Sequence, residues 1–201
     1  MNNEYDNKKF FEEYAKMPRS KGGLTAAGEW HQLKPLFPPL QGKKMLDLGC
    51  GYGWHCKFAA EQGAAQILGI DLSKKMIEKA KQENTAEQIE YRVCGIEDYE
   101  YPKDTWDCII SNLALHYVED INQIFQKVHR TLKENGIFLF NIEHPVFTSG
   151  VGQDWIYTKE GTPQYWPIDN YFKEMMDIPG MKDELRRPMM LLVKSIAKKA
   201  D

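Results

Sequence analysis

The sequence predicts an α/β fold: a doubly wound, mostly parallel sheet with helices on both faces. Three observations predict it. First, Met45-Leu46-Asp47-Leu48 is a short apolar run that meets a glycine-alternating turn, Gly49-Cys50-Gly51-Tyr52-Gly53, before a helical stretch from about Trp54 to Gln62. Second, continuously apolar strands recur at 45–48, 67–70, 108–111 and 137–140, as parallel strands covered on both faces require. Third, helical periods alternate with those strands along most of the chain.

In chain order, residues 4–17 read as a helix carrying Tyr5, Phe10, Phe11 and Tyr14, ended by Pro18. Arg19-Ser20-Lys21-Gly22-Gly23-Leu24 reads as a loop, and Ala26 to Phe37 as a second helix that stops at Pro38-Pro39. The first strand begins near Lys44. The second, Gln66 to Ile70, ends at Asp71, an acid placed to accept hydrogen bonds from a ribose diol. Ser73 suits an N-cap for a helix over Lys74 to Asn84. Ile89-Glu90-Tyr91-Arg92-Val93 alternates apolar and polar, which places strand 3 at a sheet edge. Trp106 to Asn112 is strand 4. Asp120 caps a helix spaced by Ile121, Ile124, Phe125, Val128 and Leu132, which Asn135-Gly136 stops, and Ile137 to Asn141 is strand 5. Met189 to Ser195 reads as a last strand.

The chain has 201 residues and a formal net charge of −3, so no basic excess marks a nucleic-acid footprint. No apolar run approaches the ~20 residues of a membrane span, and the N-terminus lacks a secretory signal pattern. The four cysteines, Cys50, Cys56, Cys94 and Cys108, form no Cys-x-x-Cys pair. Reduced thiols in a cytoplasmic protein, with no metal site, are the expectation.

A dinucleotide-binding turn wants a glycine where Trp54 stands. The string Leu46-Asp47-Leu48-Gly49-Cys50-Gly51 instead resembles the first motif of the class I S-adenosylmethionine-dependent methyltransferases, of the bacterial small-molecule type. Asn112-Leu113-Ala114-Leu115-His116-Tyr117 is similar to that family's fourth motif, and the likeness extends over about residues 19–145. It implies a Rossmann-like sheet of order 3-2-1-4-5 plus a C-terminal strand. It also implies one domain over 1–201: a helical lid at 1–40, a cofactor core at 41–145, and a substrate-side segment at 146–201.

The cofactor implied is S-adenosyl-L-methionine, leaving S-adenosyl-L-homocysteine. Asp47 would attract its ammonium directly or through water, and Gly49, Cys50 and Gly51 would form its cradle. Asp71 with Leu72 would meet the ribose. Gly95, Ile96 and Glu97 would meet the adenine, Asn112 and Leu113 would floor the pocket, and Arg19 would reach the carboxylate. Arg19 and Lys21 belong to an Arg-Ser-Lys loop ahead of Gly28-Glu29-Trp30, a pairing that recurs in one bacterial branch of the family.

Methyl transfer from a sulfonium needs a base only when the acceptor starts protonated. His116 and His144, each just beyond a strand's carboxyl end, are the candidates. The Asn/Asp-Pro-Pro-Tyr/Phe string tied to amino methylation is absent, which favours a small-molecule acceptor. A non-catalytic cofactor-binding protein or partner subunit, an RNA-modifying methyltransferase and an NAD-dependent oxidoreductase are the alternatives. The aromatic-rich stretch 146–172 reads as a substrate wall, and the chain between Phe172 and Arg187 is too short for the family's usual helix and sixth strand.

Overall fold

A computed structural model describes residues 4–144, 152, 154–168 and 190–199. They fall into two compact units, Met1–Asn141 with Leu192–Asp201, and Ile142–Leu191. The sheet has six strands in the order β3-β2-β1-β4-β5-β8. These are β1 Lys44–Leu48, β2 Gln66–Asp71, β3 Ile89–Val93, β4 Trp106–Asn112, β5 Leu132–Glu143 and β8 Met190–Ile196. β1 pairs in parallel with β2 on one side and β4 on the other, and β2–β3 and β4–β5 are parallel too. The order reverses direction at β1. An open α/β sheet carries its ligand crevice at that switch, beyond the strands' carboxyl ends.

Burial follows the hydropathy that sets the strands. Met45, Leu46 and Leu48 of β1, Ile67 and Ile70 of β2, and Ile109 and Ile110 of β4 are fully enclosed. β3 buries only Tyr91 and so forms the sheet edge. Helices α4 (Trp54–Glu61), α5 (Lys74–Glu83) and α6 (Ile121–Thr131) cover the faces. The Ser73 and Asp120 side chains cap α5 and α6 as their positions require, accepting from Met76 N and Gln123 N.

The N-terminal region departs from the sequence reading. In place of one helix over 4–17 there is a 3-10 turn at Glu4–Asp6 and a short α1, Lys8–Tyr14. Pro18 does not end a helix but starts one: α2 is Pro18–Gly22, with proline in its first turn, where a missing amide N–H is no loss. The expected loop at 19–24 is therefore helical, running on into a 3-10 turn at Gly23–Ala26. The helix expected over 26–37 is reduced to α3, Trp30–Leu33, and a 3-10 turn at Lys34–Leu36.

Strand 5 is also longer than expected. α6 ends at Thr131 and β5 begins at Leu132, so Asn135-Gly136 lies inside the strand. The register slips there, from Trp106↔Leu132 to Cys108↔Ile137, and Asn135 takes φ 61°. The Asn-Gly pair makes an irregularity in the ladder rather than a helix stop.

In the second unit, β6 (Ile156–Tyr157) and β7 (Pro163–Tyr165) form an antiparallel hairpin, with Trp155 edge-on to Trp166 at 5.8 Å. The proposed substrate-wall residues Phe147, Tyr171 and Phe172, and the shortened stretch after them, lie outside the described residues.

Candidate functional site

The turn after β1 is held from below by β2. The amides of Gly49 and Cys50 both donate to the Ile70 carbonyl, at 2.9 and 2.8 Å. Gly51 N donates to Asp71 Oδ2 at 2.9 Å, and Gly53 N donates to the Cys50 carbonyl at 2.8 Å. Four amides of the turn are thus committed inside the protein.

Two glycines do different work here. A Cβ on Gly49, at φ +77°, would collide with the Ala114 methyl in the loop after β4. A Cβ on Gly51, at φ +53°, would meet nothing within 4 Å. Gly49 brings two loops together, and Gly51 leaves a bare floor over which a ligand can lie.

Asp71 lies at the end of β2, half-buried. Its Oδ2 takes the Gly51 amide and its Oδ1 takes the Ser73 amide at 2.8 Å. Desolvation raises its pKa, while those two amides pull the other way. Both oxygens retain acceptor capacity. Ser73 also donates to Asp6 Oδ1 at 2.7 Å, and Lys75 Nζ donates to the Asp6 carbonyl at 2.7 Å. On the other side, the Tyr5 and Tyr117 hydroxyls meet at 3.2 Å. The N-terminal 3-10 turn thus bridges the start of α5 and the β4–α6 connection.

Asp47 is different. It exposes no surface, its Oδ2 accepts from Cys56 Sγ at 3.4 Å, and its Oδ1 has no partner. Burial pushes its pKa up to about 7. The carboxyl that the resemblance sets against an ammonium thus presents no exposed atom. Cys50 and Cys56 are buried beside it, and desolvation holds the Cys50 thiol up at about 11. All four cysteines are free.

The residues expected on the adenine side are only partly brought together. Leu72 is exposed and close to Gly95: a Cβ on Gly95 would lie 3.6 Å from Leu72 Cδ1 and 2.7 Å from Asp98 Oδ2. Ile96 holds the turn in place by accepting from Tyr101 Oη at 2.9 Å. Glu97, in contrast, turns toward α6. Its Oε1 accepts from Glu119 N at 3.1 Å and its carbonyl accepts from Lys127 Nζ at 3.0 Å. The carboxylate beside Gly95 belongs to Asp98, which the sequence reading missed. The available signal was the tight turn, in which Asp98 N donates to the Gly95 carbonyl at 3.2 Å.

At the exit of β4, Leu113 sits at φ 55°, a left-handed conformation that costs a branched residue on the order of 1 kcal/mol. Its amide donates to the Asn141 carbonyl at 2.8 Å. Asn112 Oδ1 accepts from Asn141 Nδ2 at 2.8 Å, and Asn112 Nδ2 donates to Glu29 Oε1 at 3.1 Å. Arg19 donates to both Glu29 oxygens, at 3.0 and 2.9 Å. His116 is half-buried in a 3-10 turn, Leu115–Tyr117, its ring 4.3 Å from that of Tyr117. His144 follows β5 in the second unit, also half-buried. His55, which the sequence reading left aside, is buried behind Trp30 and Phe37, and desolvation lowers its pKa to about 4.

The carboxylate of Asp71 lies beside Gly51 and that of Asp98 beside Gly95. The fold is that of a doubly wound α/β protein with its switch point at the turn after β1.

Comparison with known proteins carries this further. A family model described as a methyltransferase domain matches residues 46–140. The solved structure of an S-adenosylmethionine-dependent methyltransferase from Mesorhizobium loti is 32% identical, with a TM-score of 0.74, covering 87% of this chain and all of that one. A candidate S-adenosylmethionine-dependent methyltransferase from Listeria monocytogenes is 38% identical, with a TM-score of 0.76, covering 88% of this chain and all of that one. An uncharacterized Haemophilus influenzae protein is 35% identical over 191 residues, covering 87% of this chain and 72% of the relative. The chain belongs to the class I S-adenosylmethionine-dependent methyltransferases, and S-adenosylmethionine is its cofactor. Among the described residues, no helix is long and apolar enough to cross a membrane.

Proposed function

We propose that the protein transfers the methyl group of S-adenosylmethionine to a small-molecule acceptor. When bound, the cofactor supplies a methyl on a sulfonium, a carbon already activated for in-line displacement. The single observation that carries the reading is the bare Gly51 floor beside the Asp71 carboxylate, with the turn's amides already engaged.

The chain's residues then divide the work. Asp71, steadied by two backbone amides, accepts from the ribose hydroxyls. Leu72, Gly95 and Ile96 flank the adenine, with Asp98 beside Gly95 as the acceptor for its amine. Arg19 answers the carboxylate of the amino-acid end. Asn112 and Leu113 set the floor near the acceptor. Alignment and exclusion of water supply most of the rate for such a displacement.

His116 is the better of the two base candidates, since it belongs to the same unit as the turn. His144 is the other, on its place after β5. For an acceptor that starts protonated, removing a general base lowers kcat by about 100-fold or more. His116→Ala with full turnover would remove it from the mechanism. The broader test is calorimetric titration with S-adenosylmethionine, then a search for S-adenosylhomocysteine formed with pooled metabolites. Binding with no product from any pool would support a non-catalytic binding protein instead. The net charge of −3 speaks against a nucleic-acid acceptor.

A further inference from the structure

Glu29 has no role in the reading above, yet its carboxylate makes three side-chain hydrogen bonds. Its side chain is only 3% exposed. It occupies the N-cap position of α3, but it makes no capping bond to its own helix. Its Oε1 instead accepts from Arg19 at 3.0 Å and from Asn112 Nδ2 at 3.1 Å, and its Oε2 accepts from Arg19 at 2.9 Å. Asn112 is in turn held by Asn141 of β5.

A carboxylate this enclosed is costly unless paired and hydrogen-bonded. Here the pairing partner is a residue on α2, and the hydrogen-bond partner ends β4. One side chain therefore ties the N-terminal helices to the carboxyl edge of the sheet.

We propose that Glu29 is a positioning residue of the cofactor site: its carboxylate holds the Arg19 guanidinium and the Asn112 amide in one arrangement, and so presets two groups that face the cofactor. The proposal rests on the methyltransferase reading for the roles of Arg19 and Asn112. The physical logic is preorganisation. An arginine with a fixed partner loses less side-chain freedom on meeting a ligand than a loose one. Without Glu29, Arg19 is a part-buried unpaired cation and the Asn112 amide loses its acceptor.

The test is calorimetric affinity for S-adenosylmethionine, measured on the full chain. Glu29→Gln keeps the shape but removes the charge and one acceptor oxygen. We expect its Kd to be weaker by about tenfold or more. Arg19→Ala should lose a similar factor, and the double variant should lose clearly less than the product of the two single losses, because the two residues share the Arg19–Glu29 pair and only the Asn112 contact is separate. Glu29→Asp keeps the charge but cannot span both partners. It should fall between wild type and Glu29→Gln, with a thermal midpoint near wild type, and it carries the test if Glu29→Gln fails to fold. A purely structural residue would lower the thermal midpoint of every variant and leave Kd unchanged in those that fold. Losses that multiply in the double variant, or a folded Glu29→Asp or Glu29→Gln that binds like wild type, would overturn the proposal while leaving the methyltransferase reading intact. A wild-type chain that does not bind S-adenosylmethionine would overturn both.

Discussion

β1 and β2 lie side by side and each carries an aspartate near its carboxyl end, Asp47 and Asp71. In the sequence they look alike. In the fold they are opposites. Asp71 is half-buried, with each oxygen held by a backbone amide and acceptor capacity left over. Asp47 is sealed, with a single thiol partner and one oxygen that has none. The difference comes from position at the switch point. Asp71 is the last residue of its strand and reaches the crevice, whereas Leu48 still follows Asp47 within β1. One carboxylate keeps acceptor capacity at the end of its strand; the other is sealed in the core beside Cys56.

Removing Asp71 should have the largest effect. Asp71→Ala loses the acceptor of two amides and the ribose partner together. Charged hydrogen bonds of this kind contribute about 1.5–3 kcal/mol each, so cofactor affinity should fall by about 100-fold or more by calorimetry. A larger loss in Asp47→Ala than in Asp71→Ala would reverse the contrast.

Next comes Gly51, whose amide Asp71 holds. Gly51→Ala puts a side chain at φ +53° and into the open floor. Strain of about 1–2 kcal/mol should lower the thermal midpoint, and the methyl in the ligand's space should weaken cofactor Kd by about tenfold, while circular dichroism shows the fold intact.

The smallest effect on affinity is expected at Asp47. Asp47→Asn should bind the cofactor within about threefold of wild type, since its carboxyl is out of reach. Its signature is in stability instead. An acid whose pKa climbs from 3.8 to about 7 on folding keeps its proton in the folded chain where the unfolded chain has lost it. Its contribution therefore declines as pH rises between those values. Asparagine does not titrate, so the thermal midpoint of the variant relative to wild type should rise from pH 5 to pH 7 and level off above. His55 works in the opposite sense. Its pKa, lowered to about 4, makes stability fall as pH drops below about 6.5. Titrating the double variant with His55→Gln separates the two slopes.

The sheet was readable because its signal is local: continuous apolar runs mark β1, β2 and β4, and the alternation in β3 marks an edge. The N-terminal helices were misread because their breaks depend on partners far along the chain. Asp6 reaches Ser73, Tyr5 reaches Tyr117, and Arg19 and Glu29 pair across ten residues before joining Asn112. No periodicity records such contacts. The same limit explains Asp98 and Glu97. Both are acids in one turn, and only the turn's closure onto Gly95 decides which carboxylate lies beside it. Asn135-Gly136 was misplaced for a related reason: the pair takes a left-handed residue equally well at a helix end or within an irregular strand, and its backbone hydrogen bonds with Ala197, far along the chain, accompany the latter.

The abutment of Gly49 against the Ala114 methyl couples the turn after β1 to the loop after β4 in a way that matters for redesign. Position 114 adjoins Leu113 and Asn112, the natural place to graft bulk when altering which acceptor enters. Any larger group there presses first on the bend that carries the donor. On the function proposed above, a larger side chain at 114 should weaken S-adenosylmethionine binding before it changes the choice of acceptor.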